Sequence, residues 1–136
     1  MAQEKEMEIS VAEVVDFLRV TGRFLPALRE VIERKVAVAA AKGKGLKVTT
    51  PELQKAADAF RLTYGMKKAS ATEAWLKSLG ISVETLENYL ETNLLISKLK
   101  DVLETKAAPQ KYLSSPVVKD TIRGMIYQDW LGKQMK

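Results

Sequence analysis

The longest amphipathic segment of the sequence, from about Val83 to Glu104, changes its apolar side half way along. At 100° per residue, the first half places on one face Val83, Leu86, Tyr89, Leu90 and Leu94. The second half places on roughly the opposite face Leu95, Ile96, Leu99, Val102 and Leu103. A helix buries its apolar face, so this helix must pack against different neighbours along its length. We expect it to be the central helix of the fold, shared between an N-terminal group of helices and a C-terminal one.

Start and stop signals divide the rest of the chain into further helices. Ser/Thr caps, helix-starting prolines and terminal glycines predict segments at about 11–20, 25–42, 50–64, 70–79, 83–104 and 116–134. Two capping boxes are predicted, at Ser10/Glu13 and at Ser70/Glu73, and Ser82 is predicted to cap the long helix. No segment alternates with period two for long enough to require a strand. The sequence therefore predicts an all-α fold of about six helices, with short helices packed on the long central one and a C-terminal helix folding back.

The length of 136 residues is that of one ordinary domain, so we expect residues 1–136 to form a single helical domain. Residues 1–8 are expected to be disordered, and residues 105–115, which contain Pro109, to form a loop before the C-terminal helix. The charged N-terminus has no apolar run of a secretory signal. No stretch reaches the ~20 apolar residues that span a bilayer. These features predict a soluble, cytoplasmic chain.

The absence of both cysteine and histidine removes disulfides, the common zinc sites and the Ser-His-Asp and Cys-His catalytic groups. The remaining carboxylates, among them Glu52, Asp58, Glu73 and Glu87, form no distinctive acid/base pair. We therefore expect no enzyme activity, no metal and no cofactor. The net charge of +5 is compatible with a nucleic-acid or acidic-peptide partner and also with an ordinary solvated surface.

Lys42, Lys44 and Lys47 make the connection after the second helix strongly basic. The Lys42–Lys47 run lacks the GxxxxGK spacing of a phosphate-binding loop, and lysines at a helix C-terminus are favoured by the helix dipole. The same lysines could contact nucleic-acid phosphates, although no aromatic residues are interleaved for base stacking. We predict that they supply rim electrostatics for an acidic peptide.

Two polar residues fall within apolar arcs, Lys35 on the second helix and Asp129 on the last. Each side chain could extend to solvent from the edge of its arc. The alternative is that the two form a partly buried ion pair that docks the C-terminal helix onto the second. We retain the pair as a structural hypothesis.

Aromatic and methionine side chains suit adaptable polypeptide binding, because they present polarizable surface in many shapes. Several of them lie at helix breaks or away from the main apolar stripes, and the others are candidates for the core. The predicted peptide-binding surface consists of Tyr64, Met66, Trp75, Tyr89, Tyr127 and Trp130. This surface would lie in a groove between the long helix, the short fourth helix and the C-terminal helix.

Residues 28–103 resemble the N-terminal chaperone domain of SurA-like parvulin-type foldases. The resemblance is carried by LREVIERKVAVAAAKGKGLKVTTPELQKA and AWLKSLGISVETLENYLETNLLISKLKDVL. They share with that family a basic Gly-containing loop, the pair Glu52-Leu53 that opens a helix, and the motif Leu95-Ile96-Ser97-Lys98-Leu99. The resemblance implies a chaperone core. Only about a dozen residues separate Glu104 from Pro116, too few for a parvulin domain, so prolyl isomerase activity is not implied.

Taken together, these features predict a module that binds unfolded polypeptide. Leaderless relatives of this family resemble foldase-like proteins of peptide-maturation systems, which suggests a precursor peptide as client by analogy alone. Two alternatives remain open. One is a nucleic-acid-binding helical module, and the other is a homodimeric assembly domain in which the C-terminal helix could be swapped across the loop at Pro109.

Overall fold

The computed structural model describes residues 8–107 and 116–135, and these ranges are helical apart from short connections. The helices are α1 (Val11–Val20), α2 (Phe24–Gly43), α3 (Thr50–Thr63), α4 (Ala69–Leu79), α5 (Val83–Ala107) and α6 (Pro116–Gln134). Six helices and no strand in the described ranges confirm the predicted all-α class. None of these described helices combines the length and apolar content needed to cross a membrane.

Two of the predicted helix starts are confirmed by their cap geometry. The side-chain oxygen of Ser10 accepts a hydrogen bond from the backbone N–H of Glu13 at 3.1 Å. Ser82 Oγ accepts from the N–H of Thr85 at 3.2 Å. Both bonds satisfy amides that have no partner within the first turn of a helix.

The start of α3 at Thr50 agrees with the predicted start at about residue 50, whereas the cap predicted for α4 is wrong. The N-cap of α3 is Thr49, which forms a reciprocal capping box with Glu52. The box predicted at Ser70/Glu73 is wrong, because α4 begins at Ala69, one residue before Ser70. The N-cap position of α4 is Lys68, which makes no side-chain cap hydrogen bond.

The chain divides into two compact units, residues 1–35 and residues 36–136. The first unit contains α1 and the beginning of α2, and none of the ten residues of α1 is buried. The expectation of a single domain is not decided by this division and stays a prediction. Of the predicted loop 105–115, residues 105–107 belong to α5, whereas residues 108–115, with Pro109, lie outside the described ranges, as do residues 1–7 of the segment expected to be disordered.

The core of the second unit consists of two clusters that meet α5 at different places along its length. The first half of α5 contributes Leu86 and Leu90, which pack with Leu76 of α4. Partly buried side chains around them are Leu53, Ala57, Phe60, Trp75 and Ile81. These contacts join α3 and α4 to the front of the long helix.

The second half of α5 packs against other helices. Leu95, Ile96 and Leu99 form a cluster with Ala37 and Ala41 of α2 and with Tyr127 and Leu131 of α6. The predicted change of apolar side along the long helix is therefore confirmed.

The α5–α6 packing is reinforced by one arginine. Arg123 Nη2 donates to the carbonyl oxygen of Ser97 at 2.7 Å and to its hydroxyl at 2.9 Å. Arg123 Nη1 lies 2.6 Å from Asp101 Oδ1. This charge-assisted contact fixes the C-terminal helix along the second half of the central helix, as predicted for a helix that folds back.

Candidate functional site: a cleft beside the α2–α3 connection

A cleft of about 380 Å³ opens between the α2–α3 connection and α5. It is lined by Lys42, Gly45, Leu46, Lys47, Val48, Glu91 and Leu95. Leu95 is buried, Leu46 and Val48 are half-buried, and the two lysines are exposed. The cleft thus has an apolar floor and a charged rim, an arrangement typical of sites that bind small ligands or single side chains.

The near wall of the cleft is the chain that follows α2. Gly45 adopts φ +77°, a left-handed conformation that ends a helix and that glycine adopts without steric cost. The N–H of Leu46 donates to the carbonyl of Ala41 at 3.0 Å. Leu46 and Val48 then pack against the core cluster at the second half of α5. The connection is therefore attached to the core by alternate residues.

The far end of the connection is fixed by Lys98 of α5. Its Nζ donates to the carbonyl of Lys47 at 2.6 Å and lies 2.8 Å from Glu52 Oε2. Glu52 Oε1 in turn accepts from the N–H and the hydroxyl of Thr49 at 3.0 and 2.9 Å. One lysine thus joins the connection, the start of α3 and the long helix.

The same contacts perturb the ionisation of Glu52. The hydrogen bond from Lys98, with further bonds from Thr49, lowers the pKa of the Glu52 carboxyl from 4.5 to about 2. Hydrogen bonds to the charged form of a carboxylate favour that form. The lowered pKa is explained by this structural role, so Glu52 is not a candidate acid or base.

The rim of the cleft carries charges of both signs. Lys42 and Lys47 lie on the side of the connection and Glu91 on the side of α5. Of the three predicted rim lysines, these two line the cleft, whereas Lys44 is not among its lining residues. A rim of this kind suits a ligand that carries an apolar group beside an acidic one.

The predicted aromatic surface is only partly exposed. Met66 is 6% exposed and Tyr127 is 8% exposed, so the prediction that these two side chains face a client was wrong. Met66 is buried although it follows a helix break, and Tyr127 packs in the cluster at the second half of α5. Tyr64 and Tyr89 are exposed as predicted.

The other predicted aromatic residues belong to separate clusters. Trp75 packs at 5.6 Å from the Phe60 ring, and Phe60 lies 4.6 Å from Tyr64, which forms a row of rings on α3 and α4. Trp130 stacks on Tyr127 at 6.3 Å, and the Lys100 Nζ lies 4.6 Å from the Tyr127 ring. None of the six predicted peptide-binding residues lines the cleft described above.

Lys35 and Asp129 are both exposed, and the hypothesis of an ion pair between them stays a prediction. Asp129 Oδ2 instead lies 3.3 Å from Lys133 Nζ, one turn further along α6. An apolar arc in the sequence does not by itself bury the polar residue within it, since the long side chains can reach solvent.

Sequence reasoning missed the cleft residues Leu46, Val48, Glu91 and Leu95 as a site, and it missed the role of Lys98. Glu52 and Lys98 lie in separate sequence motifs, and nothing in the sequence indicates that their side chains meet. Within residues 8–107 and 116–135, acidic side chains form no group of three that could hold a metal ion.

Comparison with known proteins gives no family for this chain: no family model, curated protein or solved structure matches it. The resemblance to SurA-like foldases therefore stays a prediction from the motifs quoted above.

Proposed function

We propose that this chain is a polypeptide-binding module of the chaperone type, which captures an extended segment by placing one of its apolar side chains in the cleft beside the α2–α3 connection. The observation that carries the proposal is a cleft with an apolar floor and a charged rim, formed beside a connection that Lys98 ties to the long helix. A pre-formed site loses little conformational entropy on binding.

The expected binding free energy is that of a weak, reversible complex. Burial of one large apolar side chain stabilises a complex by about 1.5–3 kcal/mol, and ordering of the client opposes this gain. Lys42 and Lys47 would favour an acidic residue beside the apolar one and would speed association. The proposal assigns no chemical step, no metal and no cofactor to the chain. A precursor peptide is the client that the SurA-like resemblance suggests.

The lining of the cleft favours a polypeptide ligand over nucleic acid. Glu91 faces the same cleft as the two lysines, so the rim is not the uniformly basic groove that follows a nucleic-acid backbone. No aromatic side chain lines the cleft to stack on a base. The nucleic-acid alternative therefore has less support than peptide binding at this site.

The test is fluorescence anisotropy with a labelled extended peptide in which Leu adjoins Asp. Lys42→Glu/Lys47→Glu should weaken binding about tenfold, because the rim would then repel the acidic residue. Val48→Thr should weaken it as well, since a hydroxyl replaces a methyl group in the floor. A matched control is Lys55→Glu/Lys77→Glu, which changes two exposed lysines outside the cleft by the same charge.

If the cleft variant and the control lose affinity equally, binding depends only on the net charge of the protein. The peptide would then not bind in the cleft. Wild-type protein that shifts a labelled oligonucleotide with steep salt dependence, and binds no peptide, would favour the nucleic-acid alternative.

A further inference from the structure

Glu91 lines the cleft, but the capture of an apolar side chain beside an acidic one gives its carboxylate nothing to bind. The two rim lysines lie on the side of the α2–α3 connection, whereas Glu91 lies on the side of α5. The apolar floor of the cleft is therefore flanked by basic groups on one wall and by an acidic group on the other.

The Glu91 side chain is half-buried, unlike the two exposed rim lysines. Among the described residues, no lysine or arginine nitrogen lies within 4.0 Å of its carboxylate and no hydrogen bond reaches it. Removing a carboxylate from water costs free energy unless a cation or a donor compensates it. A cationic group of a bound ligand would supply that compensation.

The position of Glu91 along α5 sets where such a cation must lie. Glu91 and the floor residue Leu95 are four residues apart, so they share one side of the helix and are separated by about 6 Å along its axis. Lys98 follows on the same side and is already bonded to Glu52 and to the Lys47 carbonyl. The acidic group thus lies at one end of this side of α5, one turn before the apolar floor.

An extended polypeptide has a matching spacing. Its side chains two positions apart lie on the same side of the segment, about 6.5–7 Å from each other. When an apolar side chain of a client that runs along α5 lies above Leu95, the side chain two positions away lies above Glu91. The adjacent side chains point away from the floor, towards the exposed lysines of the rim.

We infer that Glu91 is a specificity-determining residue, which binds a lysine or arginine two positions from the apolar residue that the client places in the cleft. The client class is then an extended segment that carries an acidic residue next to an apolar one and a basic residue two positions beyond it. This inference rests on the peptide-binding function proposed for the cleft. It adds the requirement for a client cation at a defined spacing.

The test compares two peptides of identical composition by fluorescence anisotropy, each labelled at one end and amidated at the other. Gly-Ser-Asp-Leu-Ser-Lys-Ser-Gly has its lysine two positions after the leucine, and Gly-Ser-Asp-Leu-Lys-Ser-Ser-Gly has it directly after the leucine. Wild-type protein should bind the first peptide about three- to tenfold more tightly, the range between an exposed ion pair and a hydrogen bond to a charged group.

Two variants test the assignment to Glu91. Glu91→Gln keeps the shape of the side chain and should abolish the preference, because the amide carries no charge. Glu91→Lys should reverse it, since the lysine of the first peptide would then lie beside a like charge. The matched control is Glu73→Gln, which changes the net charge equally at an exposed position outside the cleft and should retain the preference.

The possible failures of the inference and of the proposed function differ in their results. The inference alone is overturned if both peptides bind equally to wild-type protein while Lys42→Glu/Lys47→Glu still weakens binding. It is also overturned if folded Glu91→Gln, checked by circular dichroism, keeps the preference, or if Glu73→Gln loses it equally. If neither peptide binds, or if the lysine reversals leave binding unchanged, the proposed function fails and the inference with it.

Discussion

Lys98 Nζ lies 2.8 Å from Glu52 Oε2, although 46 positions separate the two residues in the sequence. The same Nζ binds the carbonyl of Lys47 at 2.6 Å. The long helix thereby holds the start of α3 and the preceding connection together, and with them one wall of the cleft. This contact links the fold to the proposed site.

The first prediction concerns pH. The pKa of Glu52 is lowered in the folded state from 4.5 to about 2. Stability contributed by this group is therefore fully present above about 4.5 and is lost as the pH falls towards 2. Lys98→Met should raise the Glu52 pKa towards 4.5 and remove most of this dependence.

Urea unfolding of wild type and Lys98→Met between pH 2 and 5 measures the difference, and an NMR titration of the Glu52 carboxyl gives its pKa directly. Parallel pH profiles for the two proteins would mean that the ion pair does not form in solution.

A second prediction distinguishes two adjacent threonines. Thr49→Ala removes the side chain that caps α3 and should cost about 1 kcal/mol of stability. Thr50→Ala is the matched control, because Thr50 is exposed and is the first residue of the helix. Urea unfolding of both variants tests the assignment, and a larger loss from Thr50→Ala would contradict it.

A third prediction concerns the core at the second half of α5. Leu99 is 0% exposed, so Leu99→Ala should leave a cavity and lower the free energy of unfolding by about 2–5 kcal/mol. Leu62→Ala makes the same change at an exposed position of α3 and should stay within about 0.5 kcal/mol of wild type. Similar losses at the two sites, measured by urea unfolding, would be inconsistent with the described packing.

A fourth prediction compares two ion pairs that involve α6. Arg123 is half-buried and contacts Ser97 and Asp101 across the α5–α6 interface, so Arg123→Met should cost about 1–2 kcal/mol. Lys133→Met removes only the exposed contact to Asp129 and should change stability by about 0.5 kcal/mol or less.

Hydrogen exchange of the α6 amides provides the second readout. Exchange should accelerate in Arg123→Met and stay near the wild-type rate in Lys133→Met. If the α6 amides exchange at equal rates in the two variants, Arg123 does not hold α6 against α5.

The sequence predicted much of the local structure because its causes are local. Side-chain oxygens at Ser10 and Ser82 bond amides three residues away. The change of apolar side along Val83–Ala107 predicted two separate sets of neighbours, since a helix buries whichever face is apolar. The cap predicted at Ser70 differs from the observed N-cap position, Lys68, by two residues, which is within the usual ambiguity of helix ends.

Only the tertiary structure decided which distant side chains contact one another and which apolar faces are buried. The sequence determined an all-α chain with a two-sided central helix, because periodicity fixes the face of each helix. It did not determine the Lys98–Glu52 contact or the burial of Met66 and Tyr127, because these depend on distances between helices. For the same reason, only the structure shows that Leu25, Leu28 and Val31 of α2 are exposed.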